Sequence, residues 1–336
     1  MIGSETQEVK RKTIAMLKIL HSSMEPLGAR IIASRLKDYG VELGERAVRY
    51  HLKLMDEQGL TNLVGREGRV VTPSGIEELE SALVVDKVAF AISRIEQLSF
   101  LTDFDPDDES GYVPVNISFF HKDKFAKALR MMKPAFSQGI CVSDLVAVAK
   151  SGEMLGGLIV PEDKIALATV CSIVINGSLL KAGIPMSSKF SGILQVKNNQ
   201  PVRFVELIHY SGCSLDPSEV FIRAGMTSVT EVTKKGDGKI LATYREIPAV
   251  CEERAKELVA KLKTVGIGGV LLMGHTSESV CEIPVELNRI GIILCNGLNP
   301  MAATKEAGIE AESYGMSTVL EFKKLIKFEE VTNGTN

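Results

Sequence analysis

Arg46, Arg49, Tyr50 and Lys53 stand at i, i+3, i+4 and i+7, the spacing that gathers side chains on one face of a helix. Their chemistry is that of a polyanion grip, because arginine can fork onto a guanine edge while lysine and tyrosine reach phosphates. Arg66 and Arg69 follow at a glycine-flanked turn, placed to touch the flanking backbone. A second group suits a small anion. Thr169, Cys171 and Ser172 fall where a strand is expected to turn into a helix, and a helix start offers free backbone N–H groups beside those side-chain donors. Thr227 and Ser228 supply a second donor set, Arg245 a bidentate partner for a carboxylate, and Arg203 a reserve cation.

Nothing comparable points to bond-making chemistry. The six cysteines (141, 171, 213, 251, 281, 295) form no Cys-x-x-Cys pair and have no histidine at zinc spacing, so buried thiols in a reducing cytoplasm are expected rather than a metal site. The five histidines form no motif, and Cys171 has no base near it in sequence. The acids of Asp103–Glu109 lack the glycine and terminal glutamate of a calcium loop. Gly266–Gly269 lacks the strand and helix that a dinucleotide fingerprint requires. No catalytic residue, metal or cofactor is expected.

The elements that must hold these residues divide the chain. Apolar residues recur at helical spacing in Val9–Leu20 and again from Ile31 to Leu36, and Val48, Leu52 and Met55 form a stripe opposite the cationic face. Two short β-like pieces, Leu60–Val64 and Arg69–Thr72, close the pattern as a wing. Helix, helix, short turn, helix and hairpin predict a winged helix-turn-helix over residues 1–73. A connector helix is expected over 74–84. Residues 85–336 then mix strands (Val113–Phe119, Arg203–Tyr210, Lys239–Glu246) with helices (Asp123–Ala135, Ala249–Thr264). The fold class is therefore α+β or α/β, a winged head followed by a mixed α/β regulatory domain.

That second domain repeats itself. Leu215-Asp216-Pro217 with Ala224-Gly225-Met226 matches Leu298-Asn299-Pro300 with Ala307-Gly308-Ile309 at an offset of 83, and Lys181–Ile184 matches Thr264–Ile267 at the same offset. A fixed period predicts an internal duplication and a cleft between the paired units. Charge separates the two domains as well. The net −3 divides into +5 over residues 10–72, from 12 Lys/Arg against 7 Asp/Glu, and −8 elsewhere. A basic head on an acidic body predicts a polyanion partner for the head. The longest apolar run, Ile165–Ile175, is short of the roughly 20 residues of a membrane span, so a cytoplasmic protein without membrane attachment is expected.

Several stretches carry a family resemblance: Thr169-Val170-Cys171-Ser172, Asn176 through Pro185, Ser214-Leu215-Asp216-Pro217, Gly225 through Val229, Arg245-Glu246-Ile247-Pro248 and Gly297-Leu298-Asn299-Pro300. In these the chain resembles the NrpR family of archaeal nitrogen-regulation repressors. The resemblance covers nearly the whole chain. It implies a repressor of nitrogen-assimilation genes that binds a double-stranded DNA operator and senses 2-oxoglutarate as its effector. It also implies a homodimer or tetramer, with any second regulatory domain supplied by another subunit or a second NrpR-type protein. The rival readings are an enzyme acting on a small keto acid with an autoregulatory head, and an assembly module that meets DNA through a partner.

Overall fold

The computed structural model describes residues 7–21, 23, 25–39, 41–80 and 90–333, and the chain folds into two compact units, Met1–Val88 and Ala89–Asn336. In the first, helices α1 (Gln7–His21), α2 (Ala29–Leu36) and α3 (Glu45–Glu57) enclose a small core. α3 presents Val48, Leu52 and Met55 inward, all buried, against Met16, Leu17, Ile32 and Leu36. Gly59, at φ +74°, ends α3 in the left-handed conformation that glycine adopts without a Cβ penalty. Strands β1 (Thr61–Val64) and β2 (Gly68–Val71) form the wing, with Thr61 opposite Val71 and Val64 opposite Gly68. Leu27 bridges to Arg69 at the wing's base. Helix α4 (Pro73–Glu80) packs against α1 through Leu79. The segment expected as a connector over 74–84 thus joins the head's core as far as Glu80, and its residues 81–84 lie outside the described ones.

The second unit begins with α5 (Phe90–Leu101). β3 (Tyr112–His121), α6 (Lys122–Ser137), β4 (Leu145–Lys150), the small hairpin β5 (Met154–Leu155) and β6 (Leu158–Ile159), β7 (Lys164–Val170) and α7 (Ile173–Lys181) follow. Next come β8 (Ser187–Lys197), β9 (Gln200–His209), α8 (Pro217–Arg223), α9 (Val229–Lys235), β10 (Gly238–Pro248) and α10 (Glu252–Thr264). The chain continues through β11 (Val270–Met273), β12 (Arg289–Cys295), α11 (Asn299–Glu306), β13 (Glu312–Glu321), β14 (Ile326–Lys327) and α12 (Phe328–Asn333). The larger sheets are antiparallel five-stranded sheets, ordered β13-β3-β7-β4-β14 and β11-β12-β10-β8-β9. Two cores form, each taking side chains from both sheets. One is filled by α6 and α11, the other by α7 and α10.

A duplication is present, in a different register from the one expected. β3-α6-β4-β7-α7-β8 and β10-α10-β11-β12-α11-β13 share one order of elements. Val115 opposes Val170 in the first sheet as Ala242 opposes Cys295 in the second, offsets of 127 and 125 positions. The last strand of each repeat crosses over, β8 pairing with β10 and β13 with β3. The two halves therefore complete each other's sheets. The 83-residue matches have another cause. Gly183, Gly225, Gly266 and Gly308 all adopt φ between +66° and +81° directly after a helix. The residue after each donates its N–H back into the last turn: Ile184 to Leu179, Met226 to Phe221, Ile267 to Leu262 and Ile309 to Thr304. One glycine helix stop, used four times, produced the apparent period.

Candidate functional site

Arg245 lies on β10, the middle strand of its sheet, and the period of two along a strand puts Thr243 on the same face. Both are 1% exposed. The Arg245 guanidinium donates to the Ser172 Oγ at 3.0 Å and the Ser172 carbonyl at 3.4 Å, and it also bonds the Tyr210 side chain. Among the described residues its Nε has no hydrogen-bond partner, nor has the Thr243 Oγ1. Among the described residues Arg245 has no carboxylate partner, and burial pulls its pKa below the usual guanidinium value. A cation in this position is short of negative charge.

Arg245 and Thr243 line a cavity with Cys171 and Ser172 from the start of α7, Asn116 of β3, and Asn296 after β12. Asn116 and Thr243 occupy matching places in the two repeats, as do Cys171 and Asn296. The cavity therefore straddles the junction of the duplicated halves. Tyr210, Asp216, Met316 and Ile95 complete the lining. Met316 takes φ +50°, a left-handed backbone that a side chain disfavours. Its turn is held by the Gly315 N–H donating to Glu219 at 2.8 Å and the Met316 N–H to Asn116 at 3.1 Å. α5 packs over this turn, where the Arg94 Nε donates to the Met316 carbonyl at 2.8 Å and its Nη2 to that of Ser317. The free space is about 10 Å³, on the order of what a single water requires.

The thiol of Cys171 is pushed up to about 11 by burial, against the opposing pull of the Ile173 N–H and of Arg245. It meets the cavity as a neutral thiol. The Tyr210 phenol is likewise raised by burial. Burial also lifts the Asp216 carboxyl above its ordinary value and that of Glu219 to about 7.

Of the residues expected to hold an effector, the structure brings together Cys171, Ser172 and Arg245. Thr169 stands behind the cavity, donating to the Gly297 carbonyl at 3.0 Å. Thr227 and Ser228 do not reach it. The Thr227 hydroxyl is taken by the chain's own Glu306, which accepts from it at 2.8 Å, from the Val229 N–H at 2.7 Å and from the Thr230 N–H at 2.9 Å. Ser228 accepts from the Lys239 N–H at 2.8 Å. Arg203 is exposed on β9 and bonds Gln195. Asn116, Tyr210, Asp216, Thr243 and Asn296 were not anticipated. Asn116 and Thr243 did carry a signal, as polar residues set inside apolar strands.

On the head, Arg46, Arg49, Tyr50 and Lys53 all project from α3 into solvent, Tyr50 with 63% of its surface exposed. Arg49 pairs with Glu45 and Lys53 with Glu57 at 3.8 Å, exposed pairs that cost little to break. Arg66 is exposed at the wing's turn. Arg69 differs from the expectation. Its side chain is 18% exposed and its Nε donates to both oxygens of Asp56, at 3.1 and 2.8 Å. Thr61 donates to the same carboxylate at 2.6 Å. Arg69 ties the wing to α3 and does not extend from it.

Comparison with known proteins agrees with this architecture. Residues 88–327 match the family model "NrpR regulatory domains NRD1 and 2", and residues 14–79 match the "Ribonuclease R winged-helix domain". The Global nitrogen regulator NrpRI of Methanosarcina mazei is 40% identical over 318 residues, covering 95% of this chain and 98% of its own length. The Global nitrogen regulator NrpR of Methanococcus maripaludis is 33% identical over 321 residues, 96% of this chain and 55% of its own. The crystal structure of a nitrogen repressor-like protein from Methanococcus jannaschii superposes with a TM-score of 0.61 at 27% identity, covering 71% of this chain and 98% of that one. With a winged head and a matching regulatory domain, the chain belongs to the NrpR family of nitrogen regulators.

Proposed function

We propose that the chain is a DNA-binding repressor of nitrogen-assimilation genes, and that 2-oxoglutarate relieves repression by binding beside Arg245. The observation that carries the effector reading is the pair of unpartnered polar atoms, Arg245 Nε and Thr243 Oγ1, buried in one cavity. An orphaned buried donor is costly, and an anion that completes both is correspondingly favoured. One carboxylate of the dianion fits Arg245. The other end meets the neutral donors, Ser172, Tyr210, Asn116 and Asn296. Entry requires α5 to lift, because the closed cavity is far smaller than the ligand. Lifting breaks the Arg94 bonds to Met316 and Ser317 and displaces the element that follows the segment leading from the head.

The head reads DNA through Arg46, Arg49, Tyr50 and Lys53 in the major groove, with Arg66 on the adjoining backbone. A homodimer or tetramer matches a two-fold operator, or a second NrpR-type protein contributes the partner domain. The relatives are named regulators, which favours this reading over an enzyme acting on a keto acid. No described helix is long and apolar enough to cross a membrane, in keeping with action on cytoplasmic DNA. Gel shift of operator DNA titrated with 2-oxoglutarate tests the proposal, paired with calorimetry on the wild type and Arg245→Ala. The expected result is release of DNA by the effector and loss of effector binding in the variant. Operator affinity indifferent to the effector overturns the reading.

A further inference from the structure

We propose that Asp216 is the specificity-determining residue of this cavity, meeting the effector as a neutral acid and so distinguishing a 2-oxo acid from the matching amino acid. The proposal rests on the effector reading above. Asp216 and Arg245 line the same cavity without forming an ion pair. The Asp216 Oδ1 accepts from the Ser218 N–H at 2.8 Å, and the Ser218 side chain also bonds the carboxyl group. Its Oδ2 sits against Gly315, where an added Cβ would fall 1.8 Å from it. A carboxyl group shut away from water, held by one residue and without an ion pair, is poorly supported as an anion.

Groups of both signs face it. Arg245 comes from β10, Tyr210 from the end of β9 and Cys171 from the start of α7, while Glu219 and Arg223 share α8 with it. Tyr210 and Cys171 are held neutral, and Glu219 adds negative potential when ionised. A dianion arriving at Arg245 adds more. The charge of Glu219 and of the dianion favours the proton on Asp216, against the opposing pull of Arg245 and Arg223. In the acid form Asp216 donates a hydrogen bond to an oxo or carboxylate oxygen. In the ionised form it repels the dianion and accepts an ammonium instead. The sign follows: 2-oxoglutarate affinity is full while Asp216 is protonated and falls as pH rises past its own raised value.

The test is calorimetry of the full chain with 2-oxoglutarate and L-glutamate from about pH 6 to about pH 9, in two buffers of different ionisation enthalpy. Expected are uptake of up to one proton per 2-oxoglutarate bound and an affinity that falls toward about tenfold per pH unit. Glutamate binds at least about tenfold more weakly at the acid end, and the gap narrows as pH rises. Asp216→Asn keeps the helix cap and a donor, and is expected to bind 2-oxoglutarate without proton uptake or pH slope, while Glu219→Gln retains both. Wild-type binding with no proton uptake across the range overturns the proposal alone, as does a slope that survives in Asp216→Asn. If the variant fails to fold, the opposed pH trends of the two ligands on the wild type decide the matter. Absence of any 2-oxoglutarate binding to the wild type overturns the effector reading, and this proposal with it.

Discussion

Arg245 loses its hydration on folding and gains Ser172, Tyr210 and a weak contact with the Met186 sulfur in return. Buried charges of this kind are poor stabilisers, and neutral residues of similar volume often serve the fold as well or better. Arg245→Met is therefore expected to leave the ligand-free protein within about 2 kcal/mol of wild-type stability. Its thermal unfolding should no longer respond to 2-oxoglutarate. A melting curve recorded with and without the effector checks both halves. A large destabilisation with an intact ligand response would show that Arg245 serves packing instead. Arg49 belongs to a different surface and a different kind of test. It is held only by an exposed pair with Glu45, so it is available to a base edge. Arg49→Ala should relax operator preference at one position by about 1–3 kcal/mol, read as the ratio of affinities for cognate and altered operators.

The recognition helix and the wing act as one element because Asp56 holds both Arg69 and Thr61. Asp56→Ala removes that joint and is expected to cost the head about 1–3 kcal/mol and to weaken operator binding at every sequence alike. Arg66→Ala should leave stability unchanged and lower the salt dependence of DNA binding by about one counterion. Unfolding curves and salt-titrated gel shifts separate the two. In the second unit, the turn from β12 into α11 fits only because residue 297 is glycine. A Cβ there would meet the Val170 carbonyl at 2.2 Å and Asn116 at 2.7 Å, and Gly297→Ala should destabilise by about 3 kcal/mol. This contrast shows what the sequence could reveal. α3 was legible because its faces are written at local spacing, Val48, Leu52 and Met55 against Arg46, Arg49, Tyr50 and Lys53. The true duplication was hidden, because its strands match in order and pairing while the residues that repeat are helix stops. The cavity was legible only in part. Ser172 and Arg245 stand 73 positions apart and Asn116 and Met316 200, and no local pattern records such pairings. Thr227 had the right donor, yet Glu306, 79 positions away, already holds it, and Ser228 is taken up by the Lys239 N–H.

At the scale of the whole molecule, a regulator needs one equilibrium that both ligands bias. On the proposed reading, the effector side of that equilibrium is α5, acting as a lid. α5 is packed into the cluster formed by Cys171, Ile173, Tyr210 and Met316 and is fastened by Arg94 to the strained turn of β13. Opening that turn relieves strain at Met316 at the moment when the cavity must enlarge. Linkage then fixes a quantity that neither site alone determines. If 2-oxoglutarate weakens operator binding by a given factor, operator DNA must weaken 2-oxoglutarate binding by the same factor, typically about 5- to 150-fold for a coupling of about 1–3 kcal/mol. Calorimetric titration of 2-oxoglutarate into the free chain and into its operator complex measures one arm, and operator binding with and without saturating effector measures the other. Arg94→Ala should favour the open lid, tightening 2-oxoglutarate binding and reducing the coupling, since less of the effector's binding energy then goes into opening. Equal effector affinities in the presence and absence of DNA would mean that the lid moves without informing the head.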